Sequence, residues 1–204
     1  MVSYRFETVK KTDPEAQVSL RMIDDMFGED GAPLTIIFLC LPFLFPMPIP
    51  GISTAFGMAM ILLTIRAISP RPLPLPKIAD RITLRGQTVV HLAEKSHKYA
   101  LKLERLMKPR FLFMTRGIGR YVCGVCMILS AIALALPIPP VIPLTNTLPA
   151  LAITFFSLGL LMRDGLMSLL GHLLHVVSWG YFVSVASVAF AFAAEAIEYL
   201  KKYL

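Results

Sequence analysis

Pro46-Met47-Pro48-Ile49-Pro50-Gly51-Ile52-Ser53-Thr54-Ala55-Phe56-Gly57 stands inside an uncharged run from Gly31 to Ile65. As one unbroken helix that run would be about 52 Å long at 1.5 Å per residue, against a hydrocarbon core of about 30 Å. Proline lacks an N–H and clashes with the preceding turn, so the cluster cannot lie inside a regular helix. The run therefore reads as two helical arms of roughly 25 Å each, joined at a proline-rich break. A second uncharged run, 121–162, holds a similar cluster, Pro137-Ile138-Pro139-Pro140-Val141-Ile142-Pro143-Leu144-Thr145-Asn146-Thr147-Leu148-Pro149. Pro46 and Pro48 match Pro137 and Pro139 at one offset, and after a one-residue shift Ser53 lies over Thr145 and Gly57 over Pro149. In hydrocarbon, irregular backbone persists only where protein buries it or it lines a polar cavity. Paired breaks in corresponding halves point to a working site; a plain turn between two helices is the competing reading.

The chain has 204 residues, of which 56% are hydrophobic and 16% charged, below the quarter or so charged in soluble domains. Three uncharged runs, 31–65, 121–162 and 165–194, exceed the length a spanning helix needs. The polar, acidic first thirty residues do not read as a cleavable signal peptide, so the first apolar run is expected to direct insertion. Cys40, Cys123 and Cys126 all fall in apolar runs. Cys123 and Cys126 have C-x-x-C spacing, but no further metal ligands or β-α-β pattern accompany them, so they read as small packing residues.

The motifs Pro46-x-Pro48-x-Pro50-Gly51-x-Ser53-Thr54, Leu136-Pro137-Ile138-Pro139, Asn146-x-Leu148-Pro149-Ala150-Leu151-Ala152 and Leu158-Gly159-Leu160-Leu161-Met162-Arg163-Asp164-Gly165 together resemble the ExoD family of bacterial membrane proteins. The resemblance spans about residues 25–192. Pro140-Val141-Ile142-Pro143 departs from the shorter, glycine-containing link expected before Asn146. The resemblance implies a role in exopolysaccharide synthesis and supplies no reaction.

Along the chain, residues 1–30 form a polar segment. Val18, Met22, Ile23 and Met26 recur at helical spacing, so a short amphipathic helix is expected near 15–27, opened by Asp13-Pro14. Asp24, Asp25, Glu29 and Asp30 make an acidic collar, read as a solvated helix end or, less simply, a cation entrance. Residues 31–68 form the first Pro-broken hairpin, and alternating Pro70, Pro72, Pro74 and Pro76 an extended exit. The stretch 71–120 holds 12 of the 20 Lys and Arg residues and three acids. That excess places the loop 69–117 in the cytoplasm. Val89, Leu92, Ala93, Tyr99, Leu103 and Leu106 form a helical stripe beside it, suited to a basic amphipathic helix on the membrane surface. Residues 118–204 supply the second hairpin, with Thr145 or Asn146 capping its second arm, and a C-terminal membrane helix that either continues or breaks near Ser178-Trp179-Gly180.

The candidate pathway residues for substrate or ion are Pro48, Pro50, Gly51, Ser53, Thr54, Pro139, Thr145, Asn146, Arg163, Asp164, His172 and His175. Ionisable groups within apolar segments are costly and often functional, so Arg163 and Asp164 suggest anion or proton handling, against a simple turn closed by Gly165. His172 and His175 share a helix face and titrate in the range a proton relay needs, against a packing role. No Ser-His-Asp spacing, phosphate loop or carboxylate pair is present, so no catalytic residue, cofactor or metal is expected.

These readings converge on an all-α integral membrane protein of the bacterial inner membrane, multi-pass, with two Pro-broken hairpins in either parallel or inverted arrangement. The expected role is transport of an ion or lipid-linked substrate in exopolysaccharide synthesis or export; the alternative is a non-catalytic scaffold for synthesis enzymes. Expected partners are the bilayer with its anionic lipids, polysaccharide synthesis proteins and a second copy of the chain, with no nucleic acid.

Overall fold

The structure, a computed structural model, describes residues 13, 15–27, 31–44, 52–69, 73–94, 108–136 and 144–203. Strand β1 (Gln17–Ser19) runs directly into helix α1 (Leu20–Phe27), followed by α2 (Gly31–Leu44) and α3 (Ile52–Ile68). After a 3-10 turn at Lys77–Asp80, strand β2 (Thr83–Arg85) leads into a helical stretch over 86–94. A second 3-10 turn, Leu112–Met114, precedes α4 (Gly117–Ala135), α5 (Thr147–Met162) and α6 (Gly165–Tyr203).

The chain folds as an all-α protein carrying one two-stranded ribbon. β1 and β2 pair antiparallel, with Val18 opposite Leu84, both turned into the core. This pairing overrides the helix expected from residue 15: α1 begins at Leu20, whose N–H donates to Ile82 O. Asp13 accepts the N–H of Glu15 in the turn before the ribbon.

Four helices close a ring, α2 against α3, α3 against α4, α4 against α5 and α5 against α2, and α6 packs along α5 and α4. Helix α2 is uncharged and buried without a break from Leu34 to Pro42, the pattern of a helix enclosed on all sides. It continues past Pro42, at the cost of one ladder hydrogen bond. Helix α4 is two-faced. Cys123, Met127, Ser130, Ala131 and Leu134 turn inward, while Ile118, Val122, Val125, Leu129 and Ile132 remain exposed. Both faces are apolar, so the outer one has no aqueous rationale. Two helices, Gly117–Ala135 and Gly165–Val188, are long and apolar enough to cross a membrane by length and composition. Only 11% of the second is buried, whereas the core helix of a soluble domain would be enclosed. Helix α6 runs through Gly180 unbroken.

Three hydrogen bonds orient the ring. Thr54 Oγ1, at the start of α3, donates to Ala135 O at the end of α4 at 3.0 Å. Thr147 Oγ1, at the start of α5, donates to Phe43 O near the end of α2 at 3.1 Å. At the opposite end, the Arg120 guanidinium, in the first turn of α4, donates to Ala67 O near the end of α3. Phe43 near the end of α2 also meets Phe56 near the start of α3, ring centroids 6.0 Å apart, so helices α2 and α4 run one way and α3 and α5 the other, and the four helix ends that flank the proline clusters share one end of the bundle.

The basic loop departs from expectation where it is described. Val89, Leu92 and Ala93 belong to the protein's own core, so this part of the stripe is covered by protein and not offered to a membrane surface. Tyr99, Leu103 and Leu106 lie outside the described residues.

Candidate functional site

Among the described residues, polar side chains gather at the two ends of the bundle, along a seam between them and around Asp24. At the break end, Ser53 and Asn146 are half-buried and Thr145 is buried. Thr54 and Thr147 tie neighbouring helices across the ring as described above. Asn146 occupies the N-cap position of α5 but makes no side-chain capping bond, its backbone being already helical. Thr147, the first residue of α5, makes the cross-helix bond to Phe43 O. Pro48, Pro50, Gly51 and Pro139 lie outside the described residues.

At the opposite end, Arg163-Asp164-Gly165 makes the turn between α5 and α6. Arg163 is exposed and held in the left-handed region at φ 54° as the C-cap of α5, a conformation that non-glycine residues adopt at a cost. Asp164 does not pair with it. The Asp164 carboxylate is fully buried and accepts from Arg110 Nε at 3.2 Å, Lys108 N–H at 3.2 Å and Leu166 N–H at 3.0 Å. Its backbone forms an isolated bridge with Arg110, and Gly165 N–H donates to Arg110 O at 2.7 Å. A Cβ on Gly165 would collide with Phe111, so glycine permits this close approach.

Between the two ends runs a polar seam. Asp164, Ser168, His172 and His175 follow one another at helical intervals along one face of α6. His172 Nε2 is 3.8 Å from Cys123 Sγ on α4, which also donates to Met114 O at 3.4 Å. His175 Nδ1 is hydrogen-bonded to Ser130 Oγ at 2.8 Å. Phe156 of α5 meets the His172 ring edge-to-face at 4.8 Å, and Trp179 lies one turn beyond His175 with ring centroids 6.3 Å apart. Ser157 Oγ, on the same helix as Phe156, is buried without a hydrogen-bond partner. From Asp164 to His175 the seam covers about 16 Å of helix, and Ser130 lies about 7 Å along α4 from Ala135 and the break end. Sequence spacing paired the two histidines with each other. The structure gives each its own partner on α4; of these, Cys123 stood out in the sequence only for its C-x-x-C spacing, read as packing, and Ser130 carried no distinguishing signal. Among the described residues, no three His, Cys, Asp or Glu side chains are placed to hold a metal ion together.

Within the acidic collar Asp25 is exposed, as a solvated helix end would be, while Asp24 resolves differently from either reading. Asp24 is 1% exposed, paired with the Arg66 guanidinium and contacted by Thr35 Oγ1 at 3.4 Å. Burial raises its carboxyl above the usual carboxylate range, with the Arg66 charge opposing. Asp24 is therefore no solvated helix end; it joins α1 to α2 and to the last turn of α3. On the surface, Arg21 pairs with Asp80 at 2.7 Å and holds that carboxyl below its ordinary value. Glu29 and Asp30 lie outside the described residues.

A family model described as "Exopolysaccharide synthesis, ExoD" matches residues 3–184. The chain belongs to the ExoD family. Protein ExoD of Rhizobium meliloti is 39% identical over 178 residues, covering 85% of this chain and 72% of that protein. The uncharacterised protein slr1875 of Synechocystis sp. is 30% identical over 191 residues, covering 93% of this chain and 86% of that protein. No solved structure matches the chain. The matched region takes in the ring, the Asp164 turn and the whole seam, so each of these belongs to the ExoD portion of the molecule.

Proposed function

We propose that this ExoD family member is an inner-membrane protein that serves exopolysaccharide synthesis or export by moving an ion or a lipid-linked substrate along the seam between α4, α5 and α6. The process comes from the family and from the name of the Rhizobium meliloti relative. The observation that carries the mechanism is the placement of His172 and His175 on the face of α6 that begins at Asp164, each opposite a polar side chain of α4. Ionisable groups in a lipid-facing segment are expensive to keep and default to function. Imidazole also exchanges protons near neutral pH. In this reading the two Pro-broken hairpins are parallel repeats that enter from the cytoplasm through the basic loop, and the helix ends that flank their breaks lie together at the far end of the seam. The common orientation of α2 and α4, and of α3 and α5, supports that arrangement.

The test is reconstitution into liposomes carrying a pH-sensitive dye or a fluorescent lipid-linked sugar. The protein should move one of these, and His172→Phe with His175→Phe should cut the rate at least ten-fold while the protein stays monodisperse. Wild-type vesicles that move neither, together with normal polysaccharide output from cells carrying both substitutions, would sink the transport reading and favour a scaffold.

A further inference from the structure

Below the Asp164 turn the surface opens into a groove of about 300 Å³, lined by Phe113, Met114, Ile118, Gly119, Val122 and His172. It lies between the Leu112–Met114 turn, the first two turns of α4 and the flank of α6. Its walls are apolar, and the imidazole of His172 is the polar side chain at its edge. Phe113 is 72% and Ile118 82% exposed, so the groove faces outward from the bundle. A Cβ on Gly119 would collide with Phe113 O and Met114; the missing side chain lets the turn close down on α4 and shapes one wall.

We propose that this groove holds one acyl chain of an anionic phospholipid, with the head group met by Lys108, Arg116 and Arg163. The three cations are exposed, and each adjoins the segment that forms the groove's turn-side wall: Arg116 lies two residues before Ile118, and the Lys108 N–H donates to Asp164, the neighbour of Arg163. Lys108 and Arg116 bracket the Leu112–Met114 turn in sequence. Arg163 belongs to the α5–α6 turn, which touches that segment through Gly165 and Phe111. Among the described residues the acid at this end is Asp164, which is buried and bonded to Arg110, so its charge is turned away from a head group. Phe111 and Phe113, both exposed and edge-to-face at 6.4 Å, have the aromatic character found at the boundary between head groups and chains. A water's share of liquid volume is about 30 Å³. The groove thus has room for about ten groups of that size, which suits one chain segment.

Charge and chain make separable contributions. An anionic head group should gain about five-fold in affinity from each well-placed cation. The apolar walls should bind the chain whatever the head group. The lipid site shares His172 and Arg163 with the candidate pathway residues, and lipid occupancy is read without any flux measurement.

The experiment uses purified full-length protein in detergent with phosphatidylglycerol bearing a photoactivatable diazirine in one chain, and phosphatidylcholine with the same chain. Crosslinks mapped by mass spectrometry should concentrate within residues 113–122, several-fold more with phosphatidylglycerol. Lys108→Gln/Arg116→Gln/Arg163→Gln should abolish the preference between lipids and retain the labelled position. Val122→Trp, or Ile118→Trp as a second filling variant, should block labelling in the groove and leave labelling at exposed Val176 and Val183 of α6 unchanged. Equal labelling over the exposed faces of α4 and α6, or equal labelling by the two lipids in the wild type, would overturn the proposal.

Discussion

Asp24 carries a negative charge into the protein interior, and Arg66 is what makes that tolerable. Breaking a buried pair by removing one partner typically costs 3–5 kcal/mol, because the remaining charge is stranded. Arg66→Met should therefore destabilise by about 3 kcal/mol, and Asp24→Asn in the same chain should recover much of the loss. The Asp24 carboxyl already titrates above the carboxylate range because it is buried, and losing Arg66 raises it further. A raised acid favours the protonated folded form, so the deficit of Arg66→Met should be largest at neutral pH and shrink as pH falls toward the carboxylate range. Thermal melts in detergent across pH 4–8, a span of roughly the titration range of carboxylate and imidazole, check both sign and size. Asp80 has the opposite sign. Arg21 holds it below its ordinary value of 3.8, so its contribution is present at neutral pH and lost on acidification through the lowered value. A second residue-scale test separates turn from ligand at Arg163. Arg163→Gly relieves a left-handed conformation that costs roughly 1 kcal/mol and should raise the melting temperature. Polysaccharide output should be unchanged if the side chain only closes the turn, and should fall despite the gain in stability if Arg163 serves the pathway.

At the scale of elements, the contact between α3 and α4 depends on the absence of a side chain at Gly57. A Cβ there would lie 2.6 Å from Ala135 Cβ and 2.8 Å from Ala131 O, with backbone on the far side that cannot yield. Gly57→Leu should push the two helices apart at the break end and cost about 1–3 kcal/mol, the range for overpacking. It should also lengthen the Thr54–Ala135 bond, visible as faster amide exchange in the first turn of α3. The proline clusters act at the same scale. Replacing Pro46, Pro48 and Pro50 with Ala favours continuous helix by about 3 kcal/mol per interior position. That change should depress polysaccharide output, at equal membrane protein level, more than the same change at Pro70, Pro72 and Pro74. Equal output from the two triple variants would reduce the first cluster to a surface turn.

For the whole molecule, the common orientation of the helices makes a topological prediction. With Cys40, Cys123 and Cys126 replaced, a single cysteine at Lys108 should react with an impermeant maleimide only from the cytoplasmic side, because the Lys and Arg excess sets orientation. A cysteine at Leu144, half exposed beside the second break, should not react from that side. Helix α2 is about 21 Å long and α4 about 28 Å, against a hydrocarbon core of about 30 Å, so a bundle that crosses would carry the helix ends beside the breaks toward the face opposite the loop. Labelling of both positions from the cytoplasm would mean that the bundle does not cross.

What the sequence by itself determined was whatever depends on local composition: the apolar runs, the positions where proline forbids a continuous helix, the interruption at Arg163-Asp164-Gly165, and the ExoD motifs that lie on these features. Such features need no partner, since a missing N–H or a run without charge acts on its own segment. Tertiary structure decided what depends on partners distant in the chain. Val18 became strand because Leu84 lies opposite it, Asp24 became buried because Arg66 reaches it from the end of α3, and Val89 and Leu92 faced the core because the core had room for them. The same holds for the seam. The i, i+3 spacing of His172 and His175 suggested a shared face, but only the packing of α4 beside α6 set Cys123 against one imidazole and Ser130 against the other. Cysteine and serine in an apolar helix are small residues that packing alone would accept, so their polar role follows from the neighbouring helix and from nothing in their own segment.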